Sequence, residues 1–256
     1  MLGKLIKYEY KATARTFIPI YIALLLVAVI NRVFRIGNIE VAWGISTIVL
    51  VGLFIGLGVL TIIMIIERFN KNLLGDEGYL MFTLPVKSEQ LILSKLMISI
   101  IWTIISGVVA SVTFLILLGE VSLLDEIFTN SDIIWIEFKN ILQGQKYINN
   151  PILFIGLIGI AGIVSYMSFI FKVYLSLAAA QLPVFNKNRV IVALIAFFSI
   201  NVVLSICSRI IKFIISAELF YNFSSALMLM LVTQGVVCIV LFISIKWILD
   251  KHLNLE

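Results

Sequence analysis

Charge is scarce in this sequence. Only 13% of its 256 residues are Asp, Glu, Lys or Arg, whereas soluble domains carry about 25%. An ordinary soluble globular domain is therefore excluded. Cysteine appears twice and histidine once. Cys207 and Cys238 lie in or beside apolar segments, which supports neither a disulfide framework nor a metal site. His252 stands alone near the C-terminus, as a solvated side chain does, and the chain shows no carboxylate, Cys or His cluster. No glycine-rich loop ending in GK[ST] follows a strand, so nucleotide chemistry is excluded from this chain. No metal and no catalytic residue is assigned, and the chain is not expected to be an enzyme.

What the sequence has in abundance is hydrocarbon. Hydrophobic residues make up 62% of the chain, and the mean hydropathy is +1.15. Apolar runs occupy 17–33, 41–66, 91–118, 152–177, 190–207 and 224–249. Each is long enough to cross roughly 30 Å of hydrocarbon as a helix. A lipid-facing backbone must satisfy its own hydrogen bonds, and the runs are too long for barrel strands, so all six are predicted to be helices. The expected fold is all-α: a polytopic membrane protein of six transmembrane helices forming one domain over 1–256. The first run lies too far from the start for a signal peptide and lacks a small-residue cleavage site.

Orientation follows from the basic residues. With both termini in the cytoplasm, 13 of the 19 Lys and Arg fall on the inner side, leaving Arg32, Arg35, Lys139, Lys146, Arg209 and Lys212 outside. That asymmetry predicts a multi-pass protein of the cell membrane with cytoplasmic termini. The net charge of +5 is explained by anionic lipid and topology, and no nucleic acid is called for. The acidic loop 119–150 is then extracellular, as is 208–223.

Residues 1–16 read as a second kind of element. Lys4, Lys7, Lys11 and Arg15 share one helical face, with Leu2, Ile6, Thr13 and Phe17 opposite, the pattern of a helix resting in the inner interface. Glu9 falls near the apolar face. It either reaches water or a neighbouring lysine, or is an interior polar contact of a face packed on the bundle or on a partner subunit.

The polar island 67–90, ERFNKNLLGDEGYLMFTLPVKSEQ, lies on the cytoplasmic side between spans two and three. Residues 67–74 can prolong the second helix until Gly75, which tolerates positive φ. Asp76 and Glu77 start a short element, Gly78 permits a turn, and Pro85 breaks the apolar stretch from Tyr79 to Leu84. Ser88 is a candidate cap for the next helix, with Glu89 and Gln90 near its positive end. An amphipathic element exposing Tyr79, Leu80, Met81 and Phe82 outside the membrane requires a groove in which to bury them.

With LLGDEGYLMFTLPV at 73–86 and MLGKLIKYEYKATARTFIPIY at the N-terminus, the chain resembles the permease subunits of ABC-2-type exporters from Gram-positive bacteria. The six-span pattern covers the whole chain, while the specific motif is confined to the loop and the N-terminal helix. The resemblance implies that the loop is a coupling helix contacting an ATP-binding subunit, as does the N-terminal helix. Carried over by position, the contacts are Gly75, Asp76, Glu77, Gly78, Tyr79, Met81, Phe82, Thr83, Leu84 and Pro85, with Glu9 as an additional one. Two ATP-binding subunits are implied, holding ATP and Mg that this chain does not, together with a second copy of this chain or a related permease.

Polar residues within the spans are sparse: Ser99, Thr103, Ser106, Ser165, Ser168, Asn201 and Gln234. That favours an apolar or amphiphilic cargo such as a lipid, peptide or drug-like molecule, although aligned hydroxyls also bond to their own helix backbone. Gly52 and Gly56 form a GxxxG spacing, and Gly156, Gly159 and Gly162 line the fourth span, where small residues allow close helix approach within one subunit or between two. The outer stretches 133–142 and 209–223 suit either a gate or a lid that only shields the bundle. The function so read is the membrane subunit of an ATP-driven exporter, or alternatively a non-transporting anchor or sensor for antimicrobial-peptide or envelope stress. A secondary transporter is disfavoured, because acidic residues for proton or sodium coupling are lacking within the spans.

Overall fold

A computed structural model describes residues 2–74, 87–119, 136, 151–182, 188–214 and 223–251. Among them the chain forms six long α-helices: α1 (Leu2–Ile36), α2 (Glu40–Phe69), α3 (Ser88–Leu118), α4 (Pro151–Ala180), α5 (Arg189–Ile214) and α6 (Phe223–Lys251). All six contain a stretch long and apolar enough to cross a membrane. The side chains on their outer faces are apolar: Val41, Ile48 and Val190 are each about three-quarters exposed. Water would penalise such surfaces, and lipid accepts them. The protein is an all-α, six-span membrane protein.

Two compact units make up the chain, Met1–Ile65 with Gln90–Ile134 and Ile66–Glu89 with Trp135–Glu256. In the first unit, α1 does not stop where the interfacial helix was expected to end. Residues 2–16 and the first span form one helix of 35 residues that runs through Pro19, a length of about 52 Å. Proline removes one hydrogen bond, a loss that membrane helices tolerate. The stripe that unifies the helix is Glu9, Thr13, Phe17, Tyr21, Leu24, Ala28 and Asn31, all buried. Steps of three and four residues keep these side chains on one face from end to end.

That stripe meets α3 in parallel. Thr13 pairs with Trp102, Tyr21 with Ser106 and Arg32 with Ile116, so the numbering advances in the same direction on both helices. Parallel packing of the first and third spans is what alternate crossing of the membrane requires. The Trp102 indole stacks on Phe17 at 4.7 Å and on Tyr10 at 5.1 Å, while its Nε1–H donates to Thr13 Oγ1 at 2.6 Å. Thr13 in turn donates to the Glu9 carbonyl. The Tyr21 and Ser106 hydroxyls lie 2.7 Å apart. At the far end, Arg32 donates to the Ile116 carbonyl and Arg35 to that of Leu117. These are among the last carbonyls of α3, which have no partner within the helix and carry its negative end. A side chain at Gly119 would overlap the Arg32 guanidinium.

A tight turn joins α1 to α2. Ile39 N–H bonds to Phe34 O and Asn38 N–H to Arg35 O, with Asn38 at φ 51°. This is a Schellman closure with asparagine at the left-handed position, which its short polar side chain tolerates. Asn31 then reaches α2, donating to Ser46 Oγ and Thr47 Oγ1, each at 2.8 Å.

In the second unit, α4 packs on both α5 and α6. Proline at the first position of α4 is suited to a helix start. Phe169 meets Phe197 edge-on, and Phe171 faces Phe242. The fifth span was expected to close at Cys207, but α5 continues to Ile214. Ile210 and Ile211 follow Arg209 with no helix-breaking residue. Of the outer segment 208–223, residues 215–222 lie outside the described residues, as do all of 120–150 except Ile136.

Candidate functional site

The ten residues predicted to contact an ATP-binding subunit, Gly75 to Pro85, lie outside the described residues. The structure does give the two ends from which that segment is hung, and both belong to the second unit.

At the entry, α2 reaches Phe69 and passes into a π-helical turn, Asn70–Leu74. The wider turn brings Phe69 and Leu73 inward, and both are completely buried. The Phe69 ring stacks on Tyr174 of α4, with centroids 4.1 Å apart and planes within 10°. Such a contact fixes the end of α2 against α4 by dispersion and burial of two large rings.

At the exit, Lys87 is exposed and α3 begins at Ser88. Ser88 was expected to cap the helix, accepting a bond from its free N–H groups. Its hydroxyl instead donates to Asp250 Oδ1 at 2.5 Å, because a carboxylate offers only acceptors. Beside it, Lys246 forms an ion pair with Glu89. Lys246 and Asp250 are one turn apart on α6, so one face of that helix holds the start of α3 by two polar contacts. The Asp250 carboxylate also lies near the positive N-terminal end of α3. The Lys246 and Glu89 side chains are about two-fifths exposed, so solvent screens this pair and it positions the helix more than it stabilises it.

Glu9 belongs to the first unit and is buried there. Its Oε1 lies 2.8 Å from Lys95 Nζ, with the two side chains 8% and 1% exposed. The charged residue on the apolar face of the N-terminal helix thus has a counter-ion 86 positions away on α3. Sequence reasoning counted Lys95 only as a topology marker. A cation one turn inside an apolar run, opposite a helix with one acid on its apolar face, was the available signal.

The polar residues read as possible pathway groups include two kinds. Ser99 bonds to the Lys95 carbonyl and Thr103 to that of Ser99, within α3 itself. Ser106 and Asn201 bond between helices, to Tyr21 and Lys172. Both cysteines carry free thiols.

Compared with protein families, with characterised proteins and with solved structures, the chain matches none.

Proposed function

We propose that this chain is the membrane-spanning permease subunit of an ATP-driven exporter of the ABC-2 type that its sequence resembles. It works with two separate ATP-binding subunits, which hold ATP and Mg, and with a second copy of itself or a related permease. Both termini face the cytoplasm. The cargo is apolar or amphiphilic and moves outward.

The observation that carries this reading is how segment 75–86 is hung. Phe69 seats its entry on α4 beside the buried Leu73, and Ser88 and Glu89 seat its exit on α6. A partner that shifts the segment therefore loads α4 and α6 directly. Such a displacement biases a two-state equilibrium only if the partner binds one state more tightly, and ATP-driven closure of the partner supplies that difference. Asp76 and Glu77 offer carboxylates to basic or backbone donors, while Tyr79, Met81 and Phe82 offer an apolar face.

The test is the double variant Glu77→Ala/Phe82→Ala. It removes contact groups without touching a span, so insertion is retained. Loss of an aromatic anchor costs about 2 kcal/mol, roughly thirtyfold in affinity. Co-purification of the ATP-binding subunit and cargo-stimulated ATP hydrolysis in proteoliposomes separate loss of attachment from loss of coupling. A double variant that binds its partner and transports at the wild-type rate removes the loop from the mechanism.

A further inference from the structure

The second unit contains a cavity of about 750 Å³ between α5 and α6, with Lys172 of α4 at its wall. Its lining is mainly aliphatic, from Leu204 and Ile211 on α5 and Leu227, Met230 and Val236 on α6. Set into that surface are the Lys172 ammonium, the Asn201 and Gln234 amides and a few hydroxyls, among them Ser205. The volume falls within the roughly 300–1,000 Å³ of small-molecule sites, and a few polar groups in an apolar wall is their usual chemistry.

Lys172 is the informative group. It lies eight residues before the end of α4, about 12 Å from it along the axis. Its Nζ–H donates a hydrogen bond to Asn201 Oδ1 at 3.1 Å, close to the middle of α5. Asn201 in turn donates to the Phe197 carbonyl. Among the described residues no carboxylate lies within 4.0 Å of the ammonium. An amide oxygen brings a dipole and no charge, so the cation is solvated without being neutralised. Lys95, another lysine set within a span, has Glu9 as a counter-ion. A cation kept inside an apolar span marks a binding site more often than a packing element. Ser205, Ser208, Met230, Val232 and Val236 are exposed, so the cavity is open at the surface of two apolar helices, where a lipid-like molecule has access.

We propose that this cavity binds a single-chain amphiphile bearing one anionic group, a carboxylate or phosphate, with the anion at Lys172 and Asn201 and the hydrocarbon along α5 and α6. The ammonium supplies the missing opposite charge, the Asn201 amide orients it, and the aliphatic walls take up the chain. Calling this occupant cargo rests on the exporter reading; its binding does not.

The experiment uses the purified full chain in nanodiscs of neutral lipid, with no ATP-binding subunit present. Fluorescent cis-parinaric acid and its methyl ester are titrated in parallel, with acetate and inorganic phosphate as competitors that lack a tail. The acid is expected to bind about tenfold more tightly than the ester, the worth of one charge-assisted contact. Lys172→Met should erase that preference and Lys172→Arg should keep it. Ser205→Trp, which fills the exposed wall, should weaken acid and ester together. If Lys172→Met does not fold, the wild-type comparison and Ser205→Trp decide. Equal binding of acid and ester, a preference that survives in Lys172→Met, or displacement by acetate or phosphate as effective as by the acid overturns the proposal. Binding as expected in a chain that shows no ATP-dependent transport when reconstituted with its ATP-binding subunit leaves the site standing and refutes the exporter reading alone.

Discussion

Removing either charge of the Glu9–Lys95 pair should be among the most damaging single changes available in the first unit. The two groups are 2.8 Å apart and nearly inaccessible, at 8% and 1%. Taking charges out of water costs several kcal/mol per ion, recovered only through their mutual attraction and remaining hydrogen bonds. Lys95→Met leaves the Glu9 carboxylate buried with its nearest positive charge gone, and the expected loss is about 3–5 kcal/mol. Glu9→Leu leaves the ammonium in the same position and should cost a similar amount. The double variant Glu9→Leu/Lys95→Met removes both desolvation penalties and fills the site with hydrocarbon, so it should lie within about 1 kcal/mol of the wild type, or above it. The Thr13–Trp102 hydrogen bond and the stacking of Tyr10 and Phe17 on Trp102 remain in every variant, and the coupling term of the cycle reports the pair. Unfolding by SDS in mixed micelles, followed by circular dichroism, gives the four free energies of the cycle. Single variants that each lose less than about 1 kcal/mol, or losses that simply add in the double variant, would show that α1 and α3 do not share this buried pair.

Topology is checked by cysteine labelling in intact cells, in a background lacking Cys207 and Cys238: Ser131→Cys should react with a membrane-impermeant reagent and Lys87→Cys should not, and the reverse pattern inverts the orientation. Asn31→Ala should cost only about 1 kcal/mol in the same SDS titration, because Ser46 and Thr47 retain their own bonds to the Trp43 carbonyl; a loss above 3 kcal/mol would mean that the amide organises the α1–α2 turn as well. Lys246→Ala frees Glu89 without touching segment 75–86, so the ATP-binding subunit should still co-purify while cargo-stimulated hydrolysis falls, and unchanged hydrolysis would remove the α6 contact from the coupling route.

The helices were legible because hydrocarbon leaves so little choice. A backbone in lipid must close its own hydrogen bonds, and apolar runs of this length do so in one way. Helix ends were less legible, since the signals that end a soluble helix act weakly here. The amphipathic pattern of residues 1–16 marked a boundary that α1 crosses, and the apolar run marked an end at Cys207 that α5 passes. Ser88 illustrates a different limit. As a helix-capping residue its role depends on neighbours a few positions away, whereas its partner Asp250 lies 162 positions along the chain. The π-turn that buries Phe69 and Leu73 has no pattern in NKNLL to announce it.

Intramembrane charge shows most clearly what a one-dimensional reading loses. By position, Lys95 and Lys172 are the same kind of residue, each a cation near one end of an apolar run and each counted toward the inner side. Their surroundings separate them. Lys95 faces an acid on a parallel helix, and both side chains are sealed from solvent, so its charge is already spent on packing. Lys172 faces an amide at the edge of an open cavity. If that amide were its complete complement, the protein would keep a charge in an apolar wall for a single neutral hydrogen bond, a poor exchange against the methionine that would fit the same space. A negative group arriving from lipid changes that balance, and it does so only at Lys172. The two lysines therefore give opposite expectations for one substitution. Lys95→Met should damage stability and leave parinarate selectivity intact in whatever fraction folds, while Lys172→Met should leave stability nearly unchanged and abolish the selectivity. Were both substitutions to act on stability alone, Lys172 would be a second structural lysine and the cavity an apolar gap between α5 and α6.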